Sequence, residues 1–477
     1  MNGENKPLDS RTPGQELQQR LSRAGRAGLD SPTPELLEPT ISIGIMDHMT
    51  EVTGRMEGNF YGDGFGPMSG RFSAKATSGM VVLTDEHNHE ISRAPLIRLT
   101  AHKDSTFSLF HVIVGKRFHW ERREDQTFQG DLIFLPREDG TTTAINEIGL
   151  EDYLKSVISS EMSGDAPIEF LMAHAILSRS WLLKALDRKK QTKETSTSAG
   201  KVAEKEGEVV RWYKQEDHDL FDVCADDHCQ RYQGITKIIS DRAEEAVRKT
   251  SGRVITYQDE ICDARYSKAC GGLTEDFETA WEDKQVPCLV SISDAPVPHR
   301  PIGTEEEAVR WILSEPEAYC NTKDERLLGK ILPDFDRETK GFFRWTIEYS
   351  REELEEILRE KSGFDFGTLK EIVPLRRGPS GRIFRLKIVG SKRTMVVGKE
   401  LEIRRWLSRS HLYSSAFIVT VEYGAHGETE RFILHGAGWG HGVGLCQIGA
   451  AVMASKGFTA KEILSHYFPG AEIQKVY

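Results

Sequence analysis

From Thr40 onward, apolar and polar residues alternate in short runs: ISIGIM, GMVVLTD, PLIRLTA, FSLFHVIVGKRFHW and GDLIFLP. Turns bearing Gly, Asp and Asn separate them, as in EDGT at 138–141. A period of two bounded by such turns predicts strands of a mostly antiparallel sheet, continuing to about residue 146. The period then lengthens. Leu150, Tyr153, Leu154, Val157 and Ile158 lie at offsets 0, 3, 4, 7 and 8, one face of a helix over roughly 149–162. Pro167 suits the first turn of a second helix, IEFLMAHAILSRSWLLKAL, so two core helices are expected over about 149–187.

Residues 188–217 are polar and read as a loop or insertion. SDRAEEAVRKTSG predicts a short helix capped by Ser240 or Asp241, and RVITY-QDE-ICDARYS a hairpin. Residues 303–410 alternate helices (EEEAVRWILS, REELEEILREK, KELEIRRWLS) with strands (FFRWTIEYS, RIFRLKIVG, RTMVVG). Two further strands, a Gly-rich turn and a helix near 459–467 close the chain. The fold class is therefore α+β, with neither a solenoid repeat nor the regular βαβ alternation of a dinucleotide fold. Residues 1–38, rich in Gly, Ser, Pro and charge, are expected to form a disordered arm. A β-rich domain at 39–146 and a second domain at 147–477, with insertions near 188–217 and 303–370, complete the expected organisation.

Composition narrows the function. Hydrophobic residues make up 38% and charged ones 29%, which describes a folded chain, and no apolar run is long enough to span a bilayer. A net charge of −11 without a basic patch argues against nucleic acid as a partner. The first 40 residues lack the apolar core of a secretory signal. Seven cysteines are too few for a disulfide scaffold, and their number is odd.

Glu161 is the most informative residue. Eleven positions beyond Leu150, it projects about 20° from it on the helical wheel, inside the apolar stripe. A carboxylate turned toward a core is costly to ionise, and a raised pKa is what an acid that protonates a glycosidic oxygen requires. The competing reading is a charge near a frayed helix end, turned outward or paired with Arg179 or Lys155. His218, Cys224, His228 and Cys229 fall within twelve residues and form a donor set suited to structural zinc. A Cys224–Cys229 disulfide, or unrelated thiols in a polar loop, are the alternatives. Five glycines between Gly436 and Gly444 allow a sharp turn and close approach of a ligand. There His441 and Gln447 could hydrogen-bond a ligand and Trp439 could stack on it, unless the turn only closes the fold. The stretch FHWERREDQ (118–126) reads as packing on a β surface.

LEDYLKSVISSEM followed by PIEFLMAHAILSRSW is similar to the paired helices of the stage II sporulation protein D and amidase-enhancer family (SpoIID/LytB). GAGWGHGVGLCQIGAAVMASKGFTAKEILSHYFPGAEI resembles that family's C-terminal hallmark. The resemblance covers roughly 145–477 and is looser before it. It implies a lytic transglycosylase that cleaves between N-acetylmuramic acid and N-acetylglucosamine, often on strands already stripped of stem peptides. Glu161 occupies the family's catalytic position, and Arg179 matches an arginine that would orient Glu161 or the lactyl carboxylate of muramic acid. Some members carry a His/Cys zinc cluster near 218–229. YSKACGGLTED matches a third element, with Ser267 and Cys270 where members have a His or Ser run. Cys446 stands in place of a usual Ser and is expected only to pack.

One carboxylate suffices for such a reaction. It protonates the leaving oxygen, then accepts the proton of the muramoyl 6-hydroxyl, leaving a 1,6-anhydro end. Ordinary hydrolysis, with a second carboxylate such as Asp276 or Glu278, is the minor alternative. The runner-up function is a non-catalytic peptidoglycan-binding protein that recruits or stimulates a cell-wall amidase. A zinc hydrolase is disfavoured, because four protein ligands leave no position for water and no HExxH occurs. Function places the protein in the periplasm or cell envelope. The polar N-terminus alone would place it in the cytoplasm, so a leader upstream or another export route is required.

Overall fold

The structure is a computed structural model describing residues 37–116, 121–195, 202–205, 207–212, 218–337, 339 and 341–477. Most of the arm expected at 1–38 and the start of the 118–126 stretch lie outside the described residues. The fold is mixed α+β with mostly antiparallel sheets, as the sequence pattern predicts.

An eleven-stranded sheet carries the N-terminal third. Thr40–Met49 runs antiparallel to Thr142–Gly149, which in turn pairs with Asp131–Pro136. Ile97–Ala101, Val52–Gly62, Phe65–Thr77, Met80–Asp85 and Glu90–Ala94 follow in that order, and Thr106–Val114 and Arg122–Gln129 branch from Val52–Gly62. Inward residues alternate along each strand, and Phe60, Phe72, Phe107, Phe128 and Phe134 fill the core. Val52–Gly62 and Phe65–Thr77 are strands that the hydrophobic pattern does not reveal. Their inward positions are spaced by Gly and charged residues that face solvent.

The strand Thr142–Gly149 leads directly into helix α1, Leu150–Glu161, and after a short turn into α2, Ile168–Thr195. Leu150, Tyr153, Leu154, Val157 and Ile158 are all buried, and so are Ser156, Ser159 and Ser160. A short 3-10 turn, Gly234–Lys237, packs against α1, and Ser156 Oγ nearby accepts a hydrogen bond from the Gln233 N–H (3.1 Å). Helix α2 runs eight residues beyond Asp187, into the segment expected to be a loop. Arg, Lys, Gln and Glu there are good helix formers, and no Gly or Pro interrupts them. Val202–Lys205 and Glu208–Arg211 then form a hairpin that joins Thr394–Gly398.

A second hydrophobic core is gathered from Trp345 to Leu434 with Val209. It includes Leu354, Ile357, Leu386, Trp406 and Phe432, and so extends past residue 370. The helices Glu305–Leu313, Arg351–Ser362 and Glu400–Trp406 and the strands Arg344–Ser350, Ile383–Gly390 and Thr394–Gly398 coincide with their predicted segments. Ser240 is the residue that caps the helix Asp241–Lys249, its side chain accepting from the Arg242 N–H. At the C-terminus, Gln447–Ser455 and Ala460–Tyr467 pack against α2.

Candidate functional site

Glu161 is the last residue of α1 and is 8% exposed. Its Oε1 accepts two hydrogen bonds, from the Arg231 backbone N–H (2.9 Å) and the Tyr266 hydroxyl (2.8 Å). Among the described residues, no donor reaches Oε2. The outward-turned reading is thereby corrected, since Lys155 pairs with Asp152 (2.7 Å) and lies near Glu244 instead. Lys268 Nζ donates to the main-chain carbonyl of Glu161 (3.1 Å) and forms an ion pair with Asp336 (2.7 Å). A cation on the final carbonyls is the favourable arrangement at a helix C-terminus, and it pins the backbone that carries the carboxylate.

Charge and burial are matched around this point. Arg231 pairs with Asp227, and although burial works against the guanidinium, the charges of Asp227, Glu161 and Asp336 hold its pKa above the usual value. Burial lifts the Asp227 carboxyl to about 6, and the charge of Glu161 adds to the effect. Burial, then the charge of Glu161, keeps the Tyr266 phenol protonated well above its ordinary range, so it remains a donor.

Tyr266 and Lys268 sit two apart on an extended segment, so both reach Glu161 while Ser267 points to the opposite side. Ser267 pairs through its backbone with Cys446, and Tyr266 with Leu445. The Ser267 hydroxyl is buried and, among the described residues, has no hydrogen-bond partner; it lies under Gly440 of the glycine turn. This corrects Ser267 as the residue of the YSKACGG element that serves the site. Alternation along a strand was the available signal, and it points to Tyr266 and Lys268.

The glycine turn lies one layer behind. Its strand–turn contacts with the 266–270 segment run through Ala269 and Trp439, whose backbones bond in both directions (3.2 and 2.7 Å). Gly438 has φ +75, and a Cβ there would lie 2.8 Å from the Ala269 and Cys270 carbonyl oxygens, so glycine is required for this approach. One face of the Trp439 ring is stacked on Tyr413 at 4.0 Å and Phe342 packs at 5.0 Å, which leaves at most one face for a sugar. His441 accepts from the Val443 N–H (3.0 Å) and meets Trp281 edge-on. Burial, then Arg265, Arg382 and Arg404, keep it neutral well below its ordinary pKa.

Gln447 is 2% exposed and hydrogen-bonds Nε2 of the buried His174 (3.0 Å). The His174 ring lies edge-on to Tyr266 at 5.0 Å, and burial with the charge of Lys268 lowers its pKa to about 3. Gln447 is therefore a brace behind Tyr266 rather than an open sugar contact. The expectation for Arg179 is also corrected. Fully buried, it forms a two-pronged ion pair with Glu151 (2.9 and 2.5 Å) and donates to the Arg253 carbonyl (2.9 Å). Glu151 belongs to the first turn of α1, about 15 Å along the helix from Glu161, so Arg179 does not orient the acid.

His218, Cys224, His228 and Cys229 converge, with ligand atoms all within 4.8 Å of one another. Both thiols are free, which removes the disulfide alternative. His218 Nε2 lies 3.4 Å from Cys229 Sγ, and His228 Nδ1 lies 3.5 Å from Cys229 Sγ and 3.9 Å from Cys224 Sγ. Adjacent His228 and Cys229 reach one centre because Cys229 closes a turn onto Asp226. Val223–Cys224 forms the edge of the large sheet beside Ile43 and Gly44, and Arg231, only two residues past the cluster, contacts Glu161. The cluster thus shares a segment with one of the two donors to the carboxylate.

The model of a stage II sporulation protein domain matches residues 138–257, which hold α1, α2, Glu161 and the four clustered residues. Over this stretch the chain is similar to the stage II sporulation protein family. It is 22% identical over 351 residues to a stage II sporulation protein D of Bacillus amyloliquefaciens, covering 74% of this chain and 81% of that one. An uncharacterized protein of Brachyspira hyodysenteriae is 27% identical over 348 residues, 72% of each chain. The amidase enhancer of Bacillus subtilis is 22% identical over 241 residues, 48% of this chain and 32% of that protein, so the match spans about a third of it. Residues 275–444 match a separate domain of unknown function, which coincides with most of the second core. Within the family's matched region, sequence reasoning finds Glu161 and the cluster but misses Arg231 and His174. Neither carries a pattern of its own, because each acts by packing from another element.

Proposed function

We propose that this protein cleaves the glycan strands of peptidoglycan as a lytic transglycosylase, with Glu161 as both acid and base. The observation that carries the reading is the Glu161 carboxylate, buried on a helix end, with Oε1 fixed by Tyr266 and the Arg231 N–H and, among the described residues, no donor on Oε2. The match to the stage II sporulation protein model and the names of the relatives support a role at the cell wall. In the reaction, the carboxyl proton passes to the glycosidic oxygen as the bond from the muramoyl anomeric carbon breaks. The carboxylate then takes the proton of the 6-hydroxyl as that oxygen bonds to the anomeric carbon, so no water is consumed. Tyr266 and Arg231 orient the acid, and Lys268 fixes its backbone.

The four clustered residues fit structural zinc: two thiolates and two imidazoles at separations that a tetrahedral ion spans. A closed four-ligand ion would brace the segment carrying Arg231 and take no part in bond cleavage. The site of action is the periplasm or cell envelope; among the described residues, no helix is long and apolar enough to cross a membrane.

The test is digestion of purified glycan strands, with and without stem peptides, followed by mass analysis. Anhydro-muramoyl ends formed by the wild type and absent with Glu161→Gln are expected. Reducing ends from water addition would indicate hydrolysis instead. Binding without cleavage would replace this reading with recruitment or stimulation of a cell-wall amidase; one relative is named an amidase enhancer.

A further inference from the structure

Three cysteines far apart in the sequence meet an aspartate in the interior. Cys270 (2% exposed), Asp294 (0%), Cys320 (3%) and Cys446 (0%) place their ligand atoms within 4.8 Å of one another. Cys270 Sγ lies 3.6 Å from Cys320 Sγ and 3.4 Å from Asp294 Oδ2. We propose that these four residues form a second structural metal site, taking a four-coordinate thiophilic cation such as zinc.

The spacing favours an ion over a bond. Thiolates on a tetrahedral zinc at about 2.3 Å stand about 3.8 Å apart, close to what is seen, whereas a disulfide demands about 2.05 Å. The sulfurs are placed as thiolates would be. The Gly272 N–H donates to Cys270 Sγ (3.3 Å), and the Cys270 N–H donates to Cys446 Sγ (3.2 Å). Asp294 is held as ligating carboxylates are, by outer hydrogen bonds from the Tyr467 hydroxyl to Oδ1 (2.6 Å) and from the Cys320 N–H to Oδ2 (3.0 Å). A side chain at 449 would intrude here: a Cβ on Gly449 would lie 2.5 Å from both Asp294 Oδ1 and the Tyr467 hydroxyl.

Charge is compensated nearby. Three thiolates, one carboxylate and a dication leave two negative charges. The buried guanidinium of Arg382 and the half-buried one of Arg344 donate to the Cys270 carbonyl (3.1 Å) and the Gly271 carbonyl (3.0 Å).

The placement assigns the site a purpose. Cys270 ends the segment whose Tyr266 and Lys268 hold Glu161, and Cys446 lies beside Gln447, which braces His174. Asp294 and Cys320 come from the region of unknown function, so the ion would tie that region to the back wall of the Glu161 site. Cys446 therefore does more than pack.

The experiment measures zinc per chain by elemental analysis of the full-length protein after dialysis against zinc. About two ions per wild-type chain are expected, falling to about one with either Cys320→Ser or His228→Ala and to none with both. A wild-type chain holding a single ion that His228→Ala removes would overturn the proposal and leave the His/Cys cluster standing. A single ion lost only with Cys320→Ser would do the reverse. If Cys320→Ser does not fold, thiol titration of denatured, chelator-treated wild type decides. Seven free thiols agree with the proposal, and five, with Cys270 and Cys320 joined, overturn it.

Discussion

Glu161 depends on two donors that lie far from it in the chain, 70 and 105 residues away. Removing the phenol while keeping the ring isolates one of them. A hydrogen bond to a charged group contributes about 1.5–3 kcal/mol, so Tyr266→Phe should lower kcat about 10–100-fold with KM nearly unchanged. Steady-state kinetics on glycan strands checks this, and an unchanged kcat would remove Tyr266 from the machinery. His174 makes a second prediction. Its folded pKa, about 3, lies below the unfolded value near 6.5, so between these values the unfolded chain binds the extra proton. Stability from neutral His174 is complete above pH 6.5 and is lost as pH falls. At pH 5 the loss should be about 2 kcal/mol. Urea unfolding at pH 7 and pH 5 should show a smaller acid loss in His174→Gln than in the wild type; equal losses would refute the assignment.

The two helices divide structural and functional work between opposite ends of α1. The Glu151–Arg179 pair locks the first turn of α1 to α2, and Gly252 and Tyr477 also donate to Glu151. Glu161, the proposed acid, lies at the other end. Breaking a buried pair by removing one partner costs about 3–5 kcal/mol. Arg179→Met should therefore destabilise the fold by that order while the remaining folded molecules keep their kcat. Denaturant unfolding and kinetics on the same preparation separate these effects, and a selective loss of kcat would restore Arg179 to the site. The helical wheel locates Glu161 on the buried stripe because α1 is amphipathic with period 3.6. The wheel does not identify Arg179's partner, since the partner is set by how α1 and α2 cross.

At the scale of the whole molecule, the site is assembled from three regions: α1 and α2, the 218–231 segment on the edge of the large sheet, and the 266–270 segment lying on the glycine turn. Metal at the His/Cys cluster would fix the second of these. Treatment with a strong chelator should lower Tm and cleavage together, and added zinc should restore both. Retention of full activity after complete metal loss would show that the Arg231 N–H is held without it. The second core packs as an apolar cluster separate from the one that holds Val223 and Cys229, so it should be spared.

The sequence by itself determined what rests on short-range periodicity and on residue chemistry. It set the strand-rich first third, the two core helices, the buried face carrying Glu161, and two histidines and two cysteines within twelve residues. Tertiary structure alone decided the partners of each group. It moved Arg179 and Gln447 from substrate to scaffold, turned Ser267 away and put Tyr266 and Lys268 in its place. It also brought Cys270, Asp294, Cys320 and Cys446 together across 177 residues of chain. Periodicity encodes which face of an element is buried. It does not encode what lies opposite that face, because that depends on the packing of elements far apart in sequence.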